Sequence, residues 1–184
     1  SHHLHYTLTG VEENFSFGSD GAINTSENLY GLIQYQIKNE MPLRPYQITI
    51  NFDLHEDFDR LRIEAKGKLV MNKNKRALKA RVFFGSFAFN NTSNPRYNFR
   101  MDGIGGAQDF RYDHIFLARF DNSGILNQHF VEGHGNFKIP TANGQSSEWL
   151  AAVNLKLESP VKIPIGAYAD IGINAFQGAG TARL

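Results

Sequence analysis

The chain has 184 residues, which suits one domain with a sizeable core. Its 19 basic and 18 acidic residues leave a formal charge of +1, so no global field attracts nucleic acid or anionic lipid, and a nucleic-acid partner is not expected. The absence of cysteine excludes disulfides, thiol nucleophiles and cysteine-ligated zinc. No apolar run approaches the roughly 20 residues of a membrane helix, but a membrane β-barrel needs only about 9–11 alternating residues per strand.

The N-terminal part of the chain predicts two strands. Leu4, Tyr6 and Leu8 alternate with polar residues, and a shift of phase after Gly10 predicts a bulge at that glycine. Residues 29–38 alternate again, with leucine, isoleucine and tyrosine on one face and glutamine and lysine on the other. Two prolines within residues 41–45 then predict a non-helical connection.

Residues 46–90 carry the clearest pattern of the chain. Residues 46–55, 61–71 and 77–84 each alternate apolar with polar side chains at a period of two, which is typical of strands buried on one side. Short polar turns at 57–59 and 72–75 separate them, and Gly85 predicts a bend or bulge. This region therefore predicts an antiparallel meander.

The pattern is lost over residues 91–111, which we interpret as a long irregular loop rich in Asn, Ser, Arg and Gly. No phosphate-binding glycine motif is complete there. Alternation returns at residues 149–157 and 161–175. The whole chain is thus expected to be one all-β domain, residues 1–184, with about eight antiparallel strands forming a β-barrel or strongly curved sheet, either complete or part of a larger barrel.

Candidate chemistry is sparse in the sequence. His129, Glu132 and His134 form the best set of potential metal ligands, although on one strand Glu132 and His134 would lie opposite His129. His55 and Glu56 are not followed by the second histidine of a zincin motif. We therefore predict no catalytic residue and no cofactor, and treat the three-residue set as a weak metal candidate.

Asp170 is a carboxylate among small and apolar neighbours in the last predicted strand. We expect it to share a face with Tyr168 and Asn174 and to form a structural ion pair or a contact in a wet lumen. Arg119 and Lys156 are the candidate partners, and a tight turn after residue 158 would place Asp170 opposite residues near 148, which favours Arg119.

Several segments of the C-terminal half carry a family resemblance. They are YDHIFLARF (112–120), GILNQHF (124–130), GNFK (135–138), GQS (144–146), WLAA (149–152), IPI (163–165) and ADIG (169–172). They resemble the C-terminal region of bacterial proteins that join a gluzincin-type aminopeptidase domain to a barrel-like tail, itself similar to the surface-antigen family of outer-membrane barrels. The resemblance covers residues 46–174 in pattern and 112–172 in residues.

This resemblance implies an outer-membrane barrel, or part of one, with any metallopeptidase activity in a domain outside these residues. The expected function is membrane anchoring or passage, or assembly of other proteins, in the bacterial outer membrane, with lipid or detergent and other protein chains as partners. The alternative is a periplasmic or secreted soluble barrel or sandwich that binds a small apolar ligand or a protein. In the membrane reading the apolar faces point to lipid, and in the soluble reading they point to a core.

Overall fold

The structure is a computed structural model that describes residues 1–17, 22–70, 77–102, 110–111, 133–137, 144–158 and 166–175. Within them lie one 3₁₀ helix, Pro95–Tyr97, and nine strands. The strands are β1 His2–Phe17, β2 Ala22–Asn39, β3 Tyr46–Leu54, β4 Phe58–Val70, β5 Ala77–Asn90, β6 Phe99–Arg100, β7 Gln145–Ser146, β8 Trp149–Glu158 and β9 Gly166–Asn174. The predicted all-β fold is confirmed.

Seven of these strands form one antiparallel sheet in the order β1-β2-β3-β4-β5-β8-β9. Every neighbour in the sheet is also the next long strand along the chain, so the predicted meander is confirmed. The described pairings leave β1 and β9 at the two edges of the sheet. β6 and β7 form a separate two-stranded sheet. They belong to the segment that joins β5 to β8, which we call the insert and define as the described residues between 91 and 148.

The insert lies on one face of the sheet, which we call the inner face. Glycines in the long strands allow this close approach. A Cβ atom on Gly85 of β5 would lie 2.5 Å from the Phe99 ring, and one on Gly172 of β9 would lie 2.5 Å from the Met101 sulfur. Both positions therefore require glycine if the insert is to pack against the strands.

Two predicted irregularities differ from the structure. Gly10 pairs with Leu29 inside a continuous β1–β2 ladder, so the predicted bulge there is wrong. Space is open around Gly10, and a glycine can occupy a regular ladder without distorting it. The irregularity of β5 lies not at Gly85 but at Ala88, because Phe87 pairs with Arg60 while Phe89 pairs with Asp59. Gly85 instead makes room for the insert.

The predicted loop 91–111 has local structure where the structure describes it. Asn94 caps the 3₁₀ helix by accepting a hydrogen bond from the Arg96 amide at 3.1 Å, and β6 follows. The predicted turn at 72–75 and the segment 112–132 lie outside the described residues. No helix among the described residues is long and apolar enough to cross a membrane.

Candidate functional site

The outer face of the sheet, opposite the insert, is apolar and exposed. Val82 and Leu157, for example, are 49% and 43% exposed. The exposed large apolar side chains of this face come from all seven long strands. They are Leu4, Tyr6, Leu8, Leu29, Ile33, Tyr35, Tyr46, Leu69, Val82, Phe84, Phe89, Leu157, Ile171 and Ile173.

The inner face differs, because its long strands bury polar and charged residues together with apolar ones. The buried polar and charged residues are Thr49, Asp53, Arg60, Arg81 and Asn154, and they lie beside apolar ones such as Phe83 and Leu150. Soluble proteins normally bury apolar side chains and expose polar ones. The sheet departs from this rule, because it buries several hydrogen-bonding groups beneath the insert and exposes hydrocarbon on the open side.

A buried ionic cluster anchors the insert at one end of the inner face. Asp53 accepts hydrogen bonds from Arg60 at 2.8 Å, from Arg62 at 2.7 Å and from Arg111 at 3.1 Å. Arg60 also donates to the Tyr97 carbonyl at 3.0 Å. The cluster thus joins β3 and β4 to two separate parts of the insert. We call Asp53 and its three arginines the arginine cluster.

Aromatic rings enclose the arginine cluster. The Arg60 guanidinium lies 4.8 Å from the centre of the Phe110 ring and 5.6 Å from those of Phe58 and Phe99. Such contacts favour a guanidinium because its charge is delocalised and weakly hydrated. The hydroxyls of Tyr30 and Tyr97 lie 3.0 Å apart and link β2 to the insert. This end of the inner face is therefore a packed polar and aromatic core.

His134, one of the three metal candidates, has a structural role. Its ring packs against Phe83 and Phe99, with centroid distances of 5.8 and 5.3 Å. Its Nδ1 accepts the Arg100 amide at 3.2 Å, and its carbonyl accepts from Arg81 at 2.8 Å. Burial, reinforced by the positive charge of Arg60, lowers the pKa of His134 well below its usual value. A neutral ring held in this way fixes the insert to β5.

The other two candidates, His129 and Glu132, lie outside the described residues. A different group, His55, Glu56 and Asp57, brings three potential metal ligands within 4.8 Å of one another. His55 Nδ1 accepts the Asp57 amide at 3.2 Å, and its ring stacks on Tyr30 and Phe58. Burial lowers the pKa of His55. The arrangement is that of a turn capped by a neutral histidine.

Asp170 lies on the inner face with Tyr168 and Asn174, as predicted, but its register differs from the prediction. It pairs with Asn154, and its Oδ1 accepts from Asn154 Nδ2 at 3.0 Å. The predicted position opposite residues near 148 is therefore wrong. Residues 159–165 separate the paired ends of β8 and β9, so the connection is longer than the predicted tight turn.

The structure describes only one of the two predicted partners of Asp170. Arg119 lies outside the described residues. Lys156 is on the inner face two residues from Asn154, and its ammonium lies 5.2 Å from the centre of the Tyr168 ring. Asn154 was not among the predicted partners. A neutral amide can satisfy a carboxylate as a hydrogen-bond donor without supplying a charge.

An open cavity of about 520 Å³ occupies the other end of the inner face. Residues of the β2–β3 connection border it, and side chains from β4, β5, β8 and β9 complete it. We call it the basic cavity because its lining includes five lysines and one arginine but only two carboxylates among the described residues.

The arginine cluster was not predicted from the sequence, although the sequence contains part of its signal. Asp53 and Arg60 flank a hairpin turn, and counting back from that turn places them opposite each other. Arg111 could not be added in this way, because it lies in the insert. No family model, curated protein or solved structure matches the chain. The function is therefore inferred from the geometry of the two faces.

Proposed function

We propose that this chain forms a non-catalytic segment of an outer-membrane β-barrel wall, with the outer face against lipid and the insert inside the lumen. The observation that carries the proposal is the polarity of the two faces, with exposed apolar residues on one face and polar residues buried among apolar ones on the other. Transmembrane barrels have this distribution because lipid surrounds the wall while water and polar groups fill the lumen. In water, a contiguous apolar surface of this kind is unfavourable.

The dimensions of the sheet support the proposal. β3 has 9 residues, β8 has 10 and β9 has 9, in the range of about 9–11 residues that a tilted strand needs to cross a bilayer. The outward residues of β3 and β8 carry no charge from one end of each strand to the other. Tyr46 and Trp149 lie toward opposite ends of this apolar band, where amphipathic aromatic side chains favour the interface.

The family resemblance supports the biological setting of the proposal. It suggests the C-terminal part of a larger, peptidase-related protein in a bacterial outer membrane, where the barrel anchors the protein or serves passage or assembly. We assign no reaction to the residues of this chain. Any peptidase chemistry belongs, on this proposal, to another domain.

Trp149 provides a direct test, because it is the single tryptophan of the sequence and lies on the outer face. The full chain would be folded into phospholipid vesicles whose acyl chains carry bromine. Bromine quenches tryptophan fluorescence at short range, so we expect strong quenching in these vesicles and none in unbrominated ones. A monodisperse monomer without detergent, unquenched by brominated lipid, would refute the proposal and favour the soluble module.

A pair of arginine substitutions tests the same proposal through the folding free energy. Val82 lies near the middle of the outer face of β5, whereas Leu157 lies near the end of β8, and their exposures are similar. In a membrane, Val82→Arg should cost about 2–4 kcal/mol of folding free energy and Leu157→Arg about 0–1 kcal/mol. In water both substitutions would have similar small effects. Urea unfolding from lipid vesicles measures the difference.

A further inference from the structure

The basic cavity concentrates positive charge on the inner face. Its described lining includes six basic side chains from four strands, whereas Glu40 and Asp170 are the carboxylates among the described lining residues. The basic residues are Lys38, Lys66, Lys68, Lys79, Arg81 and Lys156. Such a concentration is unexpected in a chain whose formal net charge is +1.

The register of the sheet places these like charges directly opposite each other. Lys79 pairs with Lys68 on one side and with Lys156 on the other, so three lysines form a row across three adjacent strands. One step further along the sheet, Lys66 pairs with Arg81. Like charges at directly opposed positions destabilise a sheet. The arrangement therefore costs stability unless negative charge is placed among them.

Carboxylates of the protein supply part of that negative charge. Glu158 lies 2.5 Å from Lys79 and 4.0 Å from Lys68, and Glu64 forms an ion pair with Lys66 at 3.1 Å and another with Arg81. Together with Glu40 and Asp170, four carboxylates face six cations. Among the described residues, a formal charge of +2 remains at the cavity.

We propose that the basic cavity binds a small oxyanion carrying two negative charges, of the class of phosphate and phosphate monoesters. The ammonium groups of Lys68, Lys79 and Lys156 can each donate charge-assisted hydrogen bonds to its oxygens. The volume of about 520 Å³ admits such an ion together with water. The site goes beyond the proposed membrane function and does not depend on it, because the cavity lies on the inner face in either case.

The test uses the purified full chain, in detergent or in buffer as its solubility requires, and inorganic phosphate at pH 7.5 as the probe. Isothermal titration is made at constant ionic strength, with chloride replaced by phosphate. We expect saturable binding with one ion per chain. Lys79→Gln and Lys156→Gln should each weaken it by about three- to tenfold, and Lys156→Arg should restore most of the affinity.

Arg44→Gln is the matched control, because Arg44 is exposed on the neighbouring β2–β3 connection and does not line the cavity. It removes the same charge and should leave the affinity unchanged. Far-UV circular dichroism verifies that each variant is folded, and the two lysine variants are independent of each other. Absence of saturable binding, or equal loss in Arg44→Gln, would overturn the proposal. Neither result would affect the quenching test of the membrane function.

Discussion

The two ends of the inner face both carry clustered charges, but in different environments. At the arginine cluster, Asp53 and Arg60 have side chains only 3% and 2% exposed, and each guanidinium has a defined partner. At the basic cavity, Lys79 and Glu158 are 46% and 30% exposed and face open space. A buried charge must be paired because its desolvation is costly, whereas a half-exposed charge keeps part of its hydration. Positive charge is therefore buried and structural at one end and exposed to solvent at the other.

The largest expected effect comes from removing the carboxylate of the arginine cluster. Asp53→Asn leaves three guanidinium groups in a buried site without their counter-charge, so we expect a loss of about 3–5 kcal/mol in unfolding free energy. Denaturant unfolding of the variant measures this loss. Glu158→Gln removes a carboxylate at the open end and serves as the control, with an expected loss below about 1 kcal/mol. Equal losses in both variants would remove the distinction between the two ends.

The second largest loss of stability is expected where the insert contacts the sheet. In Gly85→Val the new side chain would overlap the Phe99 ring, so the insert must shift, at a cost of about 1–3 kcal/mol. Thermal unfolding measures the cost, and limited proteolysis of the insert detects the shift. Gly10→Ala, on an open stretch of β1, should change stability by less than about 0.5 kcal/mol. An insert in Gly85→Val as resistant to protease as the wild type would contradict the assigned contact.

The lowered pKa of His134 predicts that the stability of the packed part of the insert depends on pH. Its folded pKa is lowered, so the unfolded chain binds the proton more readily, and stability is lost as pH falls below about 6.5. For this one group, the free energy of unfolding changes by at most about 1.4 kcal/mol per pH unit. Hydrogen exchange at the Arg100 amide, measured between pH 7.5 and 5.5, reports it. His134→Gln should abolish this component, and an unchanged slope in that variant would exclude His134 as its source.

The smallest effect is expected at the basic cavity. Lys156→Gln removes one of three opposed lysines from an accessible face, so we expect a stability change within about 0.5 kcal/mol, in either direction. Thermal unfolding without phosphate measures it. A loss above about 2 kcal/mol would mean that Lys156 is structural, like the residues of the arginine cluster, and not available to a ligand.

The sequence predicted the strands well because their signal is local. In β3 the period-two pattern runs without interruption from Tyr46 to Leu54, and one face of that strand is apolar throughout. The pairing of β8 with β9 was misplaced because residues 159–165 carry no marker of how many of them form the connection. A register error of one residue would exchange the two faces of a strand. The predicted register of β9 against β8 differs from the structure by an even number of residues, so Asp170 was assigned to the correct face.

The contacts of the insert could not be predicted, for a different reason. Its residues meet strands that are distant in sequence, such as Arg111 with Asp53, 58 residues away, and no pattern specifies such pairs. The roles of Gly85 and Gly172 are equally non-local, because each depends on which side chain lies above it. The alternation of polar and apolar residues predicts that each strand has a polar face, but it does not predict which segment covers that face.

The position of the insert between β5 and β8 also favours one order of assembly. Arg81 reaches Glu64 across only 17 residues of chain but reaches Asn154 across 73, and closing the longer loop costs more conformational entropy. We therefore expect the β1–β5 meander to form first and β8 to dock later, and pulsed hydrogen exchange should protect amides of β3 before those of β8. Since the insert contacts both halves of the sheet, we expect it to pack against the strands while β8 docks.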